Sequence, residues 1–195
     1  MKKNILFKNS ITKSFNNKSL HSKSKKNLNS ILKKVFGTLD IKKDTLHVLS
    51  KKLDLDFNLS ELKKFKKYES VILIGMGGSI LGTQAIYSFL KEKINKKFIF
   101  LNNLDQIRIE RIKKKINLTK NLFIIISKSG NTLETLINSN LFKDKINYKN
   151  TIIITEKKNN LLNTFALNKK ILHINHKDYI GGRYSVLSEV GMVPA

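Results

Sequence analysis

From residue 71 to residue 174, short apolar runs rich in β-branched residues alternate with amphipathic stretches, and this alternation restricts the possible folds more than any other feature of the chain. The runs are 71–75 (VILIG), 98–101 (FIFL), 122–127 (LFIIIS), 151–155 (TIIIT) and 171–174 (ILHI), and stretches of helical period separate them at about 80–92, 105–116, 132–143 and 158–168. Strands covered on both faces read as continuous apolar runs, and parallel strands need crossover helices between them. The pattern therefore predicts an α/β fold with a doubly wound, five-stranded parallel sheet. In such sheets ligands bind beyond the carboxyl ends of the strands, so the segments following the first and third runs carry most of the functional reading.

The 195 residues suffice for one such domain and an extension. Residues 1–26 are polar and lysine-rich with poor periodicity, which predicts a loosely ordered arm. Ile31, Leu32, Val35, Phe36 and Leu39 recur at helical spacing, and after a break at Gly37 the pattern resumes at Leu46, Leu49 and Leu53, predicting two helices. Ser60 is the expected N-cap of a further short helix holding Leu62 and Phe65. The expected division is a basic arm with helices over 1–59 and the α/β domain over 60–195.

The net charge of +24 raises the question of nucleic acid, since counterion release rewards clustered basic residues. Only Arg108, Arg111 and Arg183 of the 38 basic residues are arginine, the side chain suited to bidentate reading of phosphates and bases. The excess is lysine spread over helix faces and turns, which predicts a solvated surface and no specific nucleic-acid partner. With no cysteine, disulfides and thiolate metal sites are excluded, and four scattered histidines do not make a metal site. Apolar runs are strand-sized, short of the roughly 18 residues that cross a bilayer, so no membrane span is expected. The basic start has no apolar core of a secretory signal, and a cytoplasmic location is the expectation.

Gly75-Met76-Gly77-Gly78-Ser79-Ile80-Leu81-Gly82 follows the first run and leads into a helical pattern. Glycines let backbone amides approach a ligand, and a helix N-terminus favours an anion. A tight turn or a dinucleotide fingerprint is the plainer interpretation, but the second run ends in Leu101-Asn102-Asn103 with no acidic residue for a ribose diol; Asp105 is better placed to cap the next helix. Ser127-Lys128-Ser129-Gly130-Asn131-Thr132 follows the third run. Its hydroxyls, lysine, glycine and amides suit a tetrahedral dianion, the order is not that of a Walker A loop, and the donors exceed what helix capping needs. After the fifth run comes Asp178-Tyr179-Ile180-Gly181-Gly182-Arg183-Tyr184-Ser185, then Ser188-Glu189-Val190-Gly191. An arginine behind a glycine pair in a lysine-rich chain is either a functional cation or an ion pair anchoring the loop.

Together these segments resemble the phosphoglucose isomerase family over about residues 60–195, with Gly-Gly-Arg-Tyr-Ser followed by Ser-Glu-Val-Gly the most specific part and Asn103-Leu104-Asp105 also fitting. The two loops alone would indicate only the wider sugar isomerase (SIS) superfamily. The resemblance implies that Gly78 and Ser79 contact a sugar phosphate, that Ser127, Lys128, Ser129, Gly130, Asn131 and Thr132 surround its phosphate, and that Gly182 and Arg183 lie beside the reacting carbons. Arg183 would stabilise an enediolate, as a fixed cation does beside a developing oxyanion. Asn131 stands where the family usually has threonine, leaving its backbone amide as the contact.

The reaction implied is the glycolytic and gluconeogenic interconversion of glucose 6-phosphate and fructose 6-phosphate through a cis-enediol, without cofactor or metal, by a protein that is a homodimer at full length. The family's carboxylate base and ring-opening histidine belong to segments after the Gly-Gly-Arg motif, so the expectation for these 195 residues is a truncated, sugar-phosphate-binding fragment without a base. Glu134 belongs to the phosphate-loop helix and Glu189 to the signature segment, while His173 and His176 read as strand-end and loop residues. The alternative is a stand-alone sugar-phosphate-binding regulator, against which the Gly-Gly-Arg signature argues.

Overall fold

The computed structural model describes residues 18–117 and 119–195 and divides into two units, one ending at Thr38 and the other running Leu39–Ala195. In the first unit, helix α1 (Lys18–Thr38) is a continuous helix. It already includes residues 18–26, expected to be a loose arm, and it ends at Thr38, one residue past the break expected at Gly37. The arm expected over residues 1–17 lies outside the described residues.

The second unit opens with a 3₁₀ turn, Thr45–Leu49, where the leucine spacing predicted a second α-helix. Asp44 caps it by accepting from the Leu46 amide at 2.8 Å, and the Thr45 hydroxyl donates to the Tyr179 carbonyl at 2.7 Å. Such a long-range anchor is invisible to local periodicity. Helix α2 (Leu59–Leu62) is capped in position by Asn58, not Ser60, which lies inside the first turn. Both residue types favour the cap, and the chain leaves extended backbone at Asn58.

The sheet follows: β1 (Ser70–Gly75), α3 (Gly78–Leu90), β2 (Lys97–Leu101), α4 (Gln106–Lys115), β3 (Asn121–Ile126), α5 (Leu133–Leu141), β4 (Thr151–Thr155), α6 (Leu161–Asn168) and β5 (Leu172–Asn175). A 3₁₀ segment, Gly182–Leu187, and the one-turn helix α7 (Glu189–Met192) close the chain. All strand pairs are parallel, in the order β2-β1-β3-β4-β5. The expected fold class is thus observed, with boundaries moved by at most three residues. Asp105 caps α4 by accepting from the Arg108 amide at 2.9 Å, as its position predicted.

Alternate strand residues feed two cores. Val71, Leu73, Ile124, Ile126, Ile152 and Ile154 pack with Ile80 of α3, Phe65, Tyr68 and Val190. Ile72, Ile74, Phe123, Ile125 and Ile153 pack on the other face with Ile109 of α4, Leu162 and Ala166 of α6, and Phe142. Strand register then sets the site, because Gly75 pairs with Ile126, Ile126 with Ile154, and Thr155 with Asn175. The chain therefore leaves β1, β3 and β4 at one level. The order reverses between β1 and β3, the switch point at which doubly wound sheets form a crevice.

A buried carboxylate secures the closing segment to this body, and a buried histidine lies close by in sequence. Glu189, with no exposed surface, accepts from the Lys177 ammonium at 2.6 Å and from the Asp56 amide at 3.0 Å. His176 is 1% exposed; its Nδ1 bonds the Lys177 carbonyl at 3.0 Å and its Nε2 has no partner. Burial lowers its pKa below the ordinary histidine value, despite that backbone bond. The half-buried His173 is shifted the same way for the same reason. Among the described residues no helix is long and apolar enough to cross a membrane, and no group of acidic residues and histidines is placed to hold a metal ion.

Removing one partner of a buried ion pair strands the other charge, so Lys177→Met is expected to cost about 3 kcal/mol of folding stability. Urea melts of Lys177→Met beside Lys177→Met with Glu189→Leu check this: a double variant no more stable than the single one would deny the pair its role. A histidine with a lowered folded pKa is protonated first in the unfolded chain. Its contribution is therefore full above about pH 6.5 and falls as the solution becomes more acidic, down to the folded pKa. The melting temperature is expected to drop between pH 7 and pH 5, with a shallower drop in His176→Asn; equal slopes would refute the assignment.

Candidate functional site

An open cleft of about 410 Å³ lies beyond the carboxyl ends of β1 and β3, lined by Met76, Gly78, Ser79, Lys128, Ser129, Thr132, Glu156, Gly182 and Arg183. Three loop segments and the lone Glu156 meet there. An apolar groove of similar size, about 400 Å³, lies where β1 and β3 begin, against Phe65, Val71, Leu122 and Val193. Its polar side chains are Lys63, Lys66 and Lys96, and Lys96 is already engaged with the Lys66 and Tyr68 carbonyls. The chemistry of a site belongs to the first cleft.

The first segment turns at Gly77, whose φ of +52° is a left-handed conformation, and enters α3 at Gly78. The first-turn amides of a helix have no intrahelical acceptor, and the axial dipole adds partial positive charge there. Gly78 also meets the Gly182 backbone: a Cβ at position 78 would lie 2.1 Å from the Gly182 carbonyl oxygen. Ser79 is almost buried beside it.

The second segment, Ser127 to Thr132, is folded on itself. The Ser127 hydroxyl lies 2.9 Å from the Thr132 hydroxyl and accepts from the Gly130 amide at 3.2 Å; the Ser129 hydroxyl lies 3.5 Å from Thr132 and accepts from the Asn131 amide at 3.3 Å. Thr132 occupies the N-cap of α5 but makes no capping bond with its side chain. Its hydroxyl is engaged within the loop instead. Gly130 has φ +69°, and a Cβ there would lie 1.9 Å from the Asn160 side-chain oxygen, so neither the conformation nor the space admits another residue.

Seven of the ten residues singled out from sequence thus line one cleft: Gly78, Ser79, Lys128, Ser129, Thr132, Gly182 and Arg183. The other three, Ser127, Gly130 and Asn131, belong to the same loop without lining it. Ser127 is buried behind Thr132. The Asn131 side chain accepts from the Leu161 amide at 3.0 Å, so the residue that departs from the family pattern caps the neighbouring helix α6. Lys128 donates to the Asp178 carbonyl at 2.6 Å and lies 3.7 Å from a Glu156 carboxylate oxygen.

The third segment presents Gly182 and Arg183. Arg183 is exposed on the cleft, and among the described residues its guanidinium makes no ion pair or hydrogen bond, so the alternative of a loop-anchoring ion pair does not describe it. The anchor is Lys177–Glu189 instead. Two lining residues escaped the sequence reading, Met76 and Glu156. Glu156 directly follows β4, so the rule that drew attention to the loops after β1 and β3 would have drawn attention to it as well.

Comparison with known proteins supplies the family. The family model for phosphoglucose isomerase matches residues 10–195. A glucose-6-phosphate isomerase of Methanocaldococcus jannaschii is 38% identical over 143 residues, 71% of this chain and 35% of the relative. A probable glucose-6-phosphate isomerase of Methanococcus maripaludis is 32% identical over 203 residues, 98% of this chain and 43% of the relative. Among solved structures, a hypothetical protein of Thermus thermophilus shares the fold with a TM-score of 0.71 at 24% identity, over 89% of this chain and 44% of that one. A Chlamydia trachomatis glucose-6-phosphate isomerase matches with a TM-score of 0.59 at 27% identity, over 67% of this chain and 26% of that one. The chain spans less than half the length of each of these proteins. With the family model matching residues 10–195, this chain belongs to the phosphoglucose isomerase family.

Proposed function

We propose that the cleft binds a hexose 6-phosphate, with the phosphate at the Ser127–Thr132 loop and the sugar extending past Gly78 and Ser79 toward Gly182 and Arg183. The observation that carries this reading is the pairing, across one cleft, of a hydroxyl-rich helix N-terminus with an arginine that has no partner among the described residues. A dianion gains from the hydroxyls of Ser129 and Thr132, from the first-turn amides of α5 and from its dipole. Gly78 and Ser79 add the N-terminus of α3. Arg183 is then the cation that meets negative charge at the reacting carbons, where a preorganised donor stabilises an enediolate more than the ground state.

We assign these residues to substrate recognition and charge stabilisation in the isomerisation of glucose 6-phosphate to fructose 6-phosphate, in a homodimer without cofactor. Moving a proton between C1 and C2 requires a base within hydrogen-bond reach. The cleft's one carboxylate, Glu156, has Oε1 3.7 Å from Lys128 and Oε2 3.0 Å from Lys158. Residues 1–195 by themselves are therefore proposed to bind without turning over.

Calorimetric titration with fructose 6-phosphate tests the binding. Ser127→Ala with Thr132→Ala is expected to weaken it at least tenfold, since each hydrogen bond to a charged group contributes about 1.5–3 kcal/mol. Unchanged affinity would mean that the phosphate lies elsewhere. A coupled assay from fructose 6-phosphate, on protein free of host isomerase, is expected to show no turnover by these residues. Activity that disappears in Arg183→Ala would place a base within them and overturn the assignment.

A further inference from the structure

A lysine in a phosphate loop is expected to offer its charge to the ligand. Lys128 instead donates to the Asp178 carbonyl at 2.6 Å, across to the link that leads into Gly182 and Arg183. Its partner on the other side is Glu156, whose Oε1 lies 3.7 Å from the ammonium. The Glu156 amide also donates to the Lys128 carbonyl at 3.1 Å, and its Oε2 pairs with Lys158 at 3.0 Å. Glu156 thus holds Lys128 by backbone and by charge.

The position of this carboxylate needs a reason. Its side chain is only 11% exposed and lines the cleft proposed to take a dianion, where a like charge opposes binding. Beyond Asp178 the chain turns tightly, with Ile180 N donating to Lys177 O at 3.2 Å and Tyr184 N to Gly181 O at 2.9 Å, so a restraint at Asp178 is transmitted over few residues to Arg183. A free lysine stem is flexible, and its ammonium would turn to any anion bound nearby.

We infer that Glu156 is a positioning residue: it fixes Lys128 so that the ammonium ties the hydroxyl loop after β3 to the segment carrying Gly182 and Arg183, and so sets the span between phosphate cradle and arginine. This rests on the sugar-phosphate reading of the cleft. It makes opposite predictions for two ligands. Inorganic phosphate needs only the cradle, and loss of Glu156 removes a negative charge and releases Lys128 toward it. A hexose 6-phosphate needs both ends in register.

The test uses Glu156→Gln, nearly isosteric and neutral, in titrations with inorganic phosphate and with fructose 6-phosphate, together with hydrogen exchange of residues 178–184 without ligand. Expected are phosphate affinity equal to or above wild type, fructose 6-phosphate affinity lowered about tenfold, the order of one charge-assisted hydrogen bond, and faster exchange at 178–184 with unchanged protection in the sheet. Lys128→Met removes the same tether from its other end and is expected to give the same exchange result, so the test survives if one variant fails to fold. Glu156→Asp should restore part of the sugar-phosphate affinity. Both ligands moving in the same direction, or wild-type exchange at 178–184, would overturn the inference. If the wild type takes neither ligand, the sugar-phosphate reading fails, and exchange at 178–184 still decides whether the tether exists.

Discussion

The backbone of Gly182 rests directly on the backbone of Gly78, so near that a methyl group at position 78 would lie 2.1 Å from the carbonyl oxygen. This contact joins residues 104 positions apart and brings the closing 3₁₀ segment onto the N-terminus of α3. The place of Gly182 and Arg183 at the cleft depends on it. With the Gly182–Leu187 segment seated there, Arg183 opens onto the same cleft as the Ser127–Thr132 loop. The seat is held from below by Val190 in the core and by the buried Lys177–Glu189 pair. Such a pair adds little net stability compared with apolar packing, but once formed it fixes one geometry, because neither charge tolerates losing its partner.

The polar groups around the cleft divide into those spent on the fold and those left for a ligand. Asn131 and Asn160 cap α6 by accepting from the Leu161 and Asn163 amides, and Ser188 caps α7. Arg108 donates to the Phe100 carbonyl at 2.9 Å. Thr132, by contrast, holds a cap position without capping, and Arg183 faces solvent without a protein partner among the described residues. A guanidinium kept out of the hydrogen bonding among the described residues remains available for an anion, whereas the Thr132 hydroxyl is shared with that of Ser127 at 2.9 Å. Arg108 is thus tied into the fold and Arg183 is left exposed, although their charges are identical.

Much of this was legible before any coordinates. A strand buried on both faces must be apolar throughout and favours β-branched residues, so VILIG, FIFL, LFIII, TIIIT and ILHI announced the sheet, and Asp105 announced a helix start. The loops after β1 and β3 were legible because glycine and hydroxyl residues there exceed what turns require. What failed was local competition. Asn58 and Ser60 were both able to cap α2, and Leu46, Leu49 and Leu53 had helical spacing, but Leu46 and Leu49 lie in a 3₁₀ turn set by Asp44 and by the reach of Thr45 to Tyr179, and Leu53 lies beyond it.

Local periodicity and turn chemistry thus determined the order of elements, the parallel sheet and the loops at its carboxyl edge, since each depends on side chains a few residues apart. Only tertiary structure decided that Gly78 must be glycine because of Gly182, that Asn131 serves a helix and not the cleft, and that Glu156 holds Lys128. Each of these joins residues 28 or more positions apart. A contact of that kind leaves no period or motif in sequence; it exists only when strand register brings the ends of β1, β3 and β4 to one level.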